Sequence, residues 1–291
     1  MLFPDSKTSR VTDEHQLMPD NLRFMATAID IVLRAGEIQM ARFGRDVGIQ
    51  KKGAIDLVTE VDLEVERMFR RMIGERYPSH EILAEELGKV SGAGSRPAGG
   101  DGHRYCWVFD PIDGTTNFAH GIPIFCAALG LEIDGRVDVA AVYDPTRREL
   151  FTAERGLGAF LNGSRLEVSS TASVLDSVLV TGFPYDVHTH GADILAMFNA
   201  FVLEARAVRR LGSAALDLCY VAAGRFDGFW EQRLKPWDVA GASLIVEEAG
   251  GTLSGMDGSV FSARHAHVLA SNGPVHAEML DIIATLRAGR A

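Results

Sequence analysis

The stretch that most constrains this chain is Trp107-Val108-Phe109-Asp110-Pro111-Ile112-Asp113-Gly114-Thr115-Thr116-Asn117-Phe118. The apolar run from Tyr105 to Phe109 reads as a buried strand. It stops at a carboxylate, a proline that cannot continue a ladder, and a second carboxylate followed by glycine. Asp110 and Asp113 stand three apart across a tight turn, so both carboxylates can point into one pocket. Their repulsion there would be severe unless a cation held them, and the spacing therefore predicts a metal. Gly114-Thr115-Thr116 then offers amides and hydroxyls where the chain can turn into a helix, a setting that suits phosphate oxygens.

Three other readings compete. A plain surface turn accounts for Pro-Ile-Asp-Gly but leaves Phe109-Asp110 unexplained. An EF-hand loop counted from Asp110 needs acidic or amide groups and a closing glutamate where this chain has Ile112, Gly114 and Gly121. A haloacid-dehalogenase-type phosphatase also ends a strand in aspartate, but its two aspartates are two apart, whereas these are three.

Composition narrows the partners. The chain has 291 residues, 47% of them hydrophobic, enough for a full core. Its formal net charge of -10 argues against a broad basic face for nucleic acid or anionic membrane. An anionic substrate would need local cations, which bound metal can supply. No apolar run is long enough to span a bilayer, and the first residues lack the apolar core of a signal peptide. Cys106, Cys126 and Cys219 are sparse and lie in apolar contexts, which suits buried thiols in a reducing compartment and makes the cytoplasm the expected location.

In chain order, Met1 to Pro19 is unpatterned and reads as a mobile extension, so the domain is expected over 20–291. Leu22 to Phe43 has helical spacing, a short strand is expected around Val47 to Ile49, and Thr59 can cap a second helix with Asp62 in its first turn. Ile82 to Ala84 is a brief strand ending at Glu85-Glu86, a second acidic strand end that suggests a pocket shared with Asp110 at one sheet edge. Gly88 to His103 reads as a flexible excursion. Asp134-Gly135 and Asn162-Gly163 mark hairpins in an antiparallel N-terminal half reaching about residue 170. Strands at Val178 to Gly182 and Phe226 to Trp230 then alternate with helices, the nearer pair expected at Ala192 to Ala205 and after Gly212-Ser213, which makes an α/β half. Asp238 reads as lying at or near the N-cap of a small-residue helix ending in Gly250-Gly251.

The acidic loop, Ala84-Glu85-Glu86 upstream and Trp237-Asp238-Val239-Ala240-Gly241 downstream together resemble the inositol monophosphatase family of magnesium-dependent, lithium-sensitive phosphatases, in order and separation across about residues 20 to 290. Ala84 departs from the family's usual glycine. The resemblance implies a layered α/β/α/β/α sandwich, two or three Mg²⁺ ions, a small phosphorylated polyol substrate and a homodimer. It implies that Glu85, Asp110, Asp113, Asp238 and the Ile112 carbonyl bind metal, with Glu85, Asp62 and Thr115 acting on a nucleophilic water. Gly114 and Thr115 amides would bind phosphate, Glu231 would accept from sugar-like hydroxyls, and Ser213 would line the same wall. A loop lysine, Lys51 or Lys52, also belongs to the implied metal region. The implied substrate is an inositol monophosphate, with fructose bisphosphate, histidinol phosphate or nucleotide phosphates as alternatives. Some bacterial relatives instead partner the transcription or ribosome-assembly machinery.

Overall fold

The structure is a computed structural model that describes residues 20–45, 47–51, 57–92, 104–264 and 267–289. The extension expected over Met1 to Pro19, and Lys52, Gly53 and Asp56, lie outside the described residues. The periodic apolar residues of α1 (Asp20–Arg42) and α2 (Glu60–Arg76) form two helices packed on one face of a sheet. Thr59 caps α2 as its sequence suggests. The Thr59 hydroxyl accepts from the Val61 amide, and the Asp62 carboxylate returns the bond by accepting from the Thr59 amide at 2.8 Å. The strand expected at 47–49 falls later, as β1 (Gln50–Lys51) paired antiparallel with β2 (Leu57–Val58), because Val47 is drawn into the apolar cluster beneath α1 and α2.

Next come β3 (Glu81–Ala84), β4 (Gly88–Val90), β5 (Tyr105–Asp113), α3 (Thr115–Ala119), β6 (Cys126–Ile133), β7 (Arg136–Asp144), β8 (Glu149–Glu154), β9 (Gly158–Leu161) and β10 (Ser164–Arg165). Apart from α3 they form one sheet in the order β10-β9-β8-β7-β6-β5-β3-β4. Asp134 and Gly135 (φ 53° and 82°) and Asn162 and Gly163 (φ 49° and 80°) are all left-handed, as two-residue hairpin turns require. The excursion expected from Gly88 begins instead with β4, which pairs with β3, while residues 93–103 lie outside the described set. Pro111 does not end the strand either. β5 runs on to Asp113 through a register shift between Asp110 and Asp113, since a bulge absorbs the missing donor.

The C-terminal elements are β11 (Val178–Thr181), α4 (Val187–Glu204), β12 (Ala207–Arg209), α5 (Ala214–Ala222), β13 (Gly228–Gln232), α6 (Pro236–Glu248), β14 (Thr252–Ser254), β15 (His267–Ser271) and α7 (His276–Ala288). Their sheet runs β12-β11-β13-β15-β14, with β11 parallel to both neighbours. α4 starts earlier than its spacing suggests, at Val187. β13 starts two residues later than expected and includes Glu231 rather than ending before it.

Three apolar clusters stack these parts into layers. α1 and α2 cover the outer face of the large sheet, α5 and α6 are buried between the two sheets, and α4 and α7 cover the outer face of the small one. This is the expected α/β/α/β/α sandwich. In the middle layer, the apolar small residues of α6 permit close contact: an added Cβ at Gly241 would lie 2.6 Å from the Leu129 carbonyl oxygen of β6. That contact seats the start of α6 against the sheet that carries the acidic loop.

Candidate active site

The parallel pairing of β3 with β5 sets Ala84 opposite Phe109, so β3 ends where β5 enters its bulge. Glu85, just past the end of β3, therefore lies beside Asp110, which stays in β5 paired with Ala128 of β6. The two acidic strand ends inferred from sequence do share a pocket. Glu85, Asp110, Asp113 and Asp238 all line one cavity of about 510 Å³, with the backbone of Gly114 to Thr116 beside them.

The loop from Asp110 to Asp113 is held from several directions. Asp110 Oδ1 accepts from the Ile112 amide at 3.0 Å. The Pro111 carbonyl accepts from Gln39 Nε2 of α1 at 2.7 Å, and the Ile112 carbonyl from Thr115 Oγ1 of α3 at 2.9 Å. Asp113 Oδ2 accepts from Ser213 Oγ at 2.6 Å and from the Ala215 amide at 2.7 Å, at the start of α5. Ser213 is thus the N-cap of α5 as well as a cavity-wall residue, and its hydroxyl is turned to Asp113. Gly114 could be nothing else. Its φ is 98°, and an added Cβ would lie 2.9 Å from the Ile124 carbonyl oxygen.

Asp62 serves two groups at once. Its Oδ2 accepts from the Thr59 amide and hydroxyl, and its Oδ1 from Thr115 Oγ1 at 3.3 Å. The cap of α2 and the loop hydroxyl are therefore joined through one fully buried carboxylate, so the capping and functional readings of Asp62 describe one arrangement. Asp238 is the third residue of α6 and not its N-cap, because Pro236 begins the helix and Lys235 caps it. Its Oδ2 accepts from the Lys235 amide at 2.6 Å. Lys51 is exposed in β1 and does not line the cavity.

The charge balance of the site is unusual. Burial, and then repulsion from Glu85, Asp113, Asp238 and Asp62, pushes the Asp110 carboxyl well above the ordinary range. Burial raises Asp113 too, against the opposing bonds from Ser213, Ala215, Ala214 and Cys126. Asp238 keeps partial contact with solvent at the cavity wall, yet the enclosing protein drives its carboxyl strongly upward, opposed by the Lys235 amide and assisted by Asp113, Glu85 and Glu231. The facing wall holds Glu231, pushed to about 8 by burial, with Arg210 pulling it down and Asp113 pushing it up. Arg210, Arg233 and Lys235 line the cavity as well.

These observations test the fit of Mg²⁺. The donors are carboxylate and carbonyl oxygens, the set a hard divalent cation prefers, and their mutual repulsion is what such a cation relieves. As the side chains stand, no three acidic, histidine or cysteine groups among the described residues are placed to hold one ion. The reason is visible in the bonds above, which turn Asp113 toward α5 and Asp238 toward its own helix cap. The donor chemistry fits Mg²⁺, and Asp113 and Asp238 would have to turn from these bonds to close on an ion.

Sequence reasoning missed three features. Asp217, in the first turn of α5, is buried on the cavity wall, and neither of its carboxylate oxygens has a hydrogen-bond partner. A lone acid within Ala-Ala-Leu-Asp-Leu-Cys was its legible signal. Gly182 flanks Glu231 so tightly that any side chain would overlap that carboxyl group. Gln39 reaches the loop across 72 residues of sequence, and nothing local announces it.

An acidic cavity at the carboxyl ends of parallel strands in this sandwich defines the class, a phosphoric monoester hydrolase. The inositol monophosphatase family model matches residues 20–289. The chain is 42% identical over 268 residues to the inositol-1-monophosphatase of Synechocystis sp., covering 91% of both proteins. It is also 42% identical over 267 residues to the Nus factor SuhB of Pseudomonas aeruginosa, covering 89% of this chain and 96% of that protein. The solved inositol monophosphatase of Anabaena (Nostoc) sp. superimposes with a TM-score of 0.81 at 36% identity, over 92% of this chain and 97% of that one. The chain belongs to the inositol monophosphatase family. Members of that family are in general Mg²⁺-dependent and act on phosphorylated polyols. Among the described residues, no helix is long and apolar enough to cross a membrane.

Proposed function

We propose that this chain hydrolyses an inositol monophosphate, by direct attack of water on phosphorus in the presence of two or three Mg²⁺ ions. The observation that carries the reading is the single cavity in which Glu85, Asp110, Asp113 and Asp238 face the Glu231 wall. Glu85, Asp110, Asp113, Asp238 and the Ile112 carbonyl would hold the ions. Bound Mg²⁺ supplies Lewis acidity, which makes water a better nucleophile and offsets phosphate charge.

The chain's own groups do the rest. Thr115 Oγ1, whose one proton lies between the Ile112 carbonyl and Asp62 Oδ1, can accept a proton from the attacking water as it turns its own fully to Asp62 Oδ1. Gly114 and Thr115 amides at the start of α3 would orient the phosphate oxygens. Glu231, titrating near neutrality, both accepts from and donates to hydroxyls of the departing alcohol. Ser213 contributes to this wall by fixing Asp113. A cytoplasmic homodimer is the expected form.

The test is phosphate release from inositol, sugar, histidinol and nucleotide monophosphates and fructose bisphosphate, with and without Mg²⁺. Inositol phosphate should be the best substrate, and activity should vanish in EDTA. Acid-quenched enzyme should carry no hydroxylamine-sensitive phosphate on Asp110. Such a label would replace direct attack with a covalent mechanism. Relatives named Nus factor favour a second reading, a regulatory partner of transcription. Capture of RNA polymerase by a preparation without turnover would select it.

A further inference from the structure

The bulge that carries the acidic loop has a backbone problem. Between Asp110 and Asp113 the β5–β6 ladder loses its register, so the Pro111 carbonyl is not met by the neighbouring strand. A buried carbonyl left without a donor is costly and free to turn. Gln39 meets it: a side chain with no solvent exposure, on α1, whose Nε2 donates to the Pro111 oxygen at 2.7 Å.

Gln39 is an expensive way to fill that position. It sits among the apolar residues of the buried face of α1, which Thr27 also shares but with a partner in Tyr77, and its own Oε1 has no hydrogen-bond partner. A leucine or methionine would fill the same space without an orphaned amide oxygen. The one interaction gained in exchange is the bond to the Pro111 carbonyl, whose peptide unit also carries the Ile112 amide that donates to Asp110 Oδ1. Turning that peptide would break the bond to Asp110 and shift the Ile112 carbonyl that follows it.

We propose that Gln39 is a positioning residue for the acidic loop, locking the Pro111 peptide so that Asp110 and the Ile112 carbonyl are presented together to a divalent cation. This rests on the proposed Mg²⁺ site and adds a residue outside it. Two loop carbonyls in succession are then held by side chains from different elements, Pro111 by α1 and Ile112 by Thr115 of α3. With both carbonyls fixed, the backbone of the bulge is held in place while its carboxylate side chains turn toward an ion.

The experiment is calorimetric titration of the full chain with Mg²⁺ alone, without substrate, paired with thermal unfolding in EDTA. Gln39→Leu should weaken Mg²⁺ binding roughly tenfold to a hundredfold, as loss of an outer-shell partner does, while unfolding in EDTA stays close to wild type. Gln39→Met, nearer in length, should do the same. Unchanged Mg²⁺ affinity in either folded variant overturns the proposal, whatever happens to stability. Failure of both variants to fold also overturns it, by making Gln39 a residue of the core alone. Failure of the wild type to bind Mg²⁺ would instead remove the proposed function, and loss of binding in Asp238→Asn but not in Gln39→Leu would remove only this inference.

Discussion

Gly182→Ala probes the alcohol-binding wall without replacing any polar group. Gly182 directly follows β11, and the parallel pairing of Thr181 with Trp230 sets it beside Glu231 of β13. A Cβ built on Gly182 would overlap the Glu231 carboxyl carbon and both its oxygens. The carboxyl end of a glutamate is the movable partner, and the cavity of about 510 Å³ beside it gives it somewhere to go. Glu231 should therefore swing out of its seat while the sheets stay in place. Losing two hydrogen bonds between the Glu231 carboxyl and the substrate's hydroxyls costs about 1 to 3 kcal/mol, which is roughly fivefold to a hundredfold in kcat/KM. The loss should appear with inositol phosphate and not with p-nitrophenyl phosphate, whose leaving group offers no aliphatic hydroxyls. Stability should hardly change, because replacing glycine by alanine at a compatible backbone also restricts the unfolded chain by about 0.4 to 1 kcal/mol. Phosphate release on the two substrates, with a melting curve on each protein, reads all three quantities. A folded Gly182→Ala protein that treats both substrates as wild type does would refute the assignment of Glu231 to the alcohol.

Asp238→Asn should reduce turnover by more than tenfold, a loss above about 1.4 kcal/mol, because the amide lacks the charge needed to hold a cation. In EDTA the same variant should melt no lower than wild type, since it removes a carboxyl repelled by Asp113 and Glu85. Lower stability in EDTA together with full Mg²⁺ affinity would make Asp238 a helix-cap residue only. Asp217→Asn carries a pH signature. Burial, then Glu231 and Asp113, raises the Asp217 carboxyl well above its usual range, so the folded state binds its proton more tightly than the unfolded chain does. That contribution is fully present below the unfolded pKa, about 4, and is lost as pH rises toward the raised folded value. Asp217→Asn should thus gain on wild type as pH rises from 4 to 8 in EDTA, each 1 kcal/mol showing as about 2 to 4 °C. A melting difference that does not change with pH would mean that Asp217 is neutralised by a partner at every pH.

The parts of the site that sequence made legible are those whose chemistry is local. Asp110 and Asp113 declare themselves because a strand, a proline and a glycine frame them within a few residues, and Thr59 declares a helix start because its partner Asp62 is one turn away. The strand error at Pro111 shows the limit of that reasoning. Proline does remove a ladder donor, but a bulge and the Gln39 side chain together let the strand continue. The alternation of strands and helices also suggested the layers, while the start of β13 could not be read, because Phe226 and Asp227 look no less strand-like than the residues after them. Gln39 and Gly182 were illegible for a different reason, and Asp217 showed only as a lone acid in an apolar run. Gln39 meets Pro111 across 72 residues of sequence, and Gly182 meets Glu231 and Asp217 faces Asp113 only through the folded topology.

That division follows from how the fold handles charge. The carboxylates come from three places in the chain, Glu85 just after β3, Asp110 and Asp113 in β5 and Asp238 in α6, and neighbouring groups hold them in the absence of a cation. In this chain the steadying groups are themselves drawn from elsewhere: Ser213 and the Ala215 amide of α5 hold Asp113, Thr59 of the α2 cap holds Asp62, and the Lys235 amide holds Asp238. All three of these sets are helix N-termini, where exposed amides and the helix dipole favour negative charge. The same starts that cap α2 and α6 thereby also orient acidic side chains. The dipoles offset only part of the burden, because burial and mutual repulsion still push Asp110, Asp113 and Asp238 above their usual ranges. The remainder is charge that divalent cations can neutralise, so affinity for Mg²⁺ and relief of strain in the folded chain are one free energy seen from two sides.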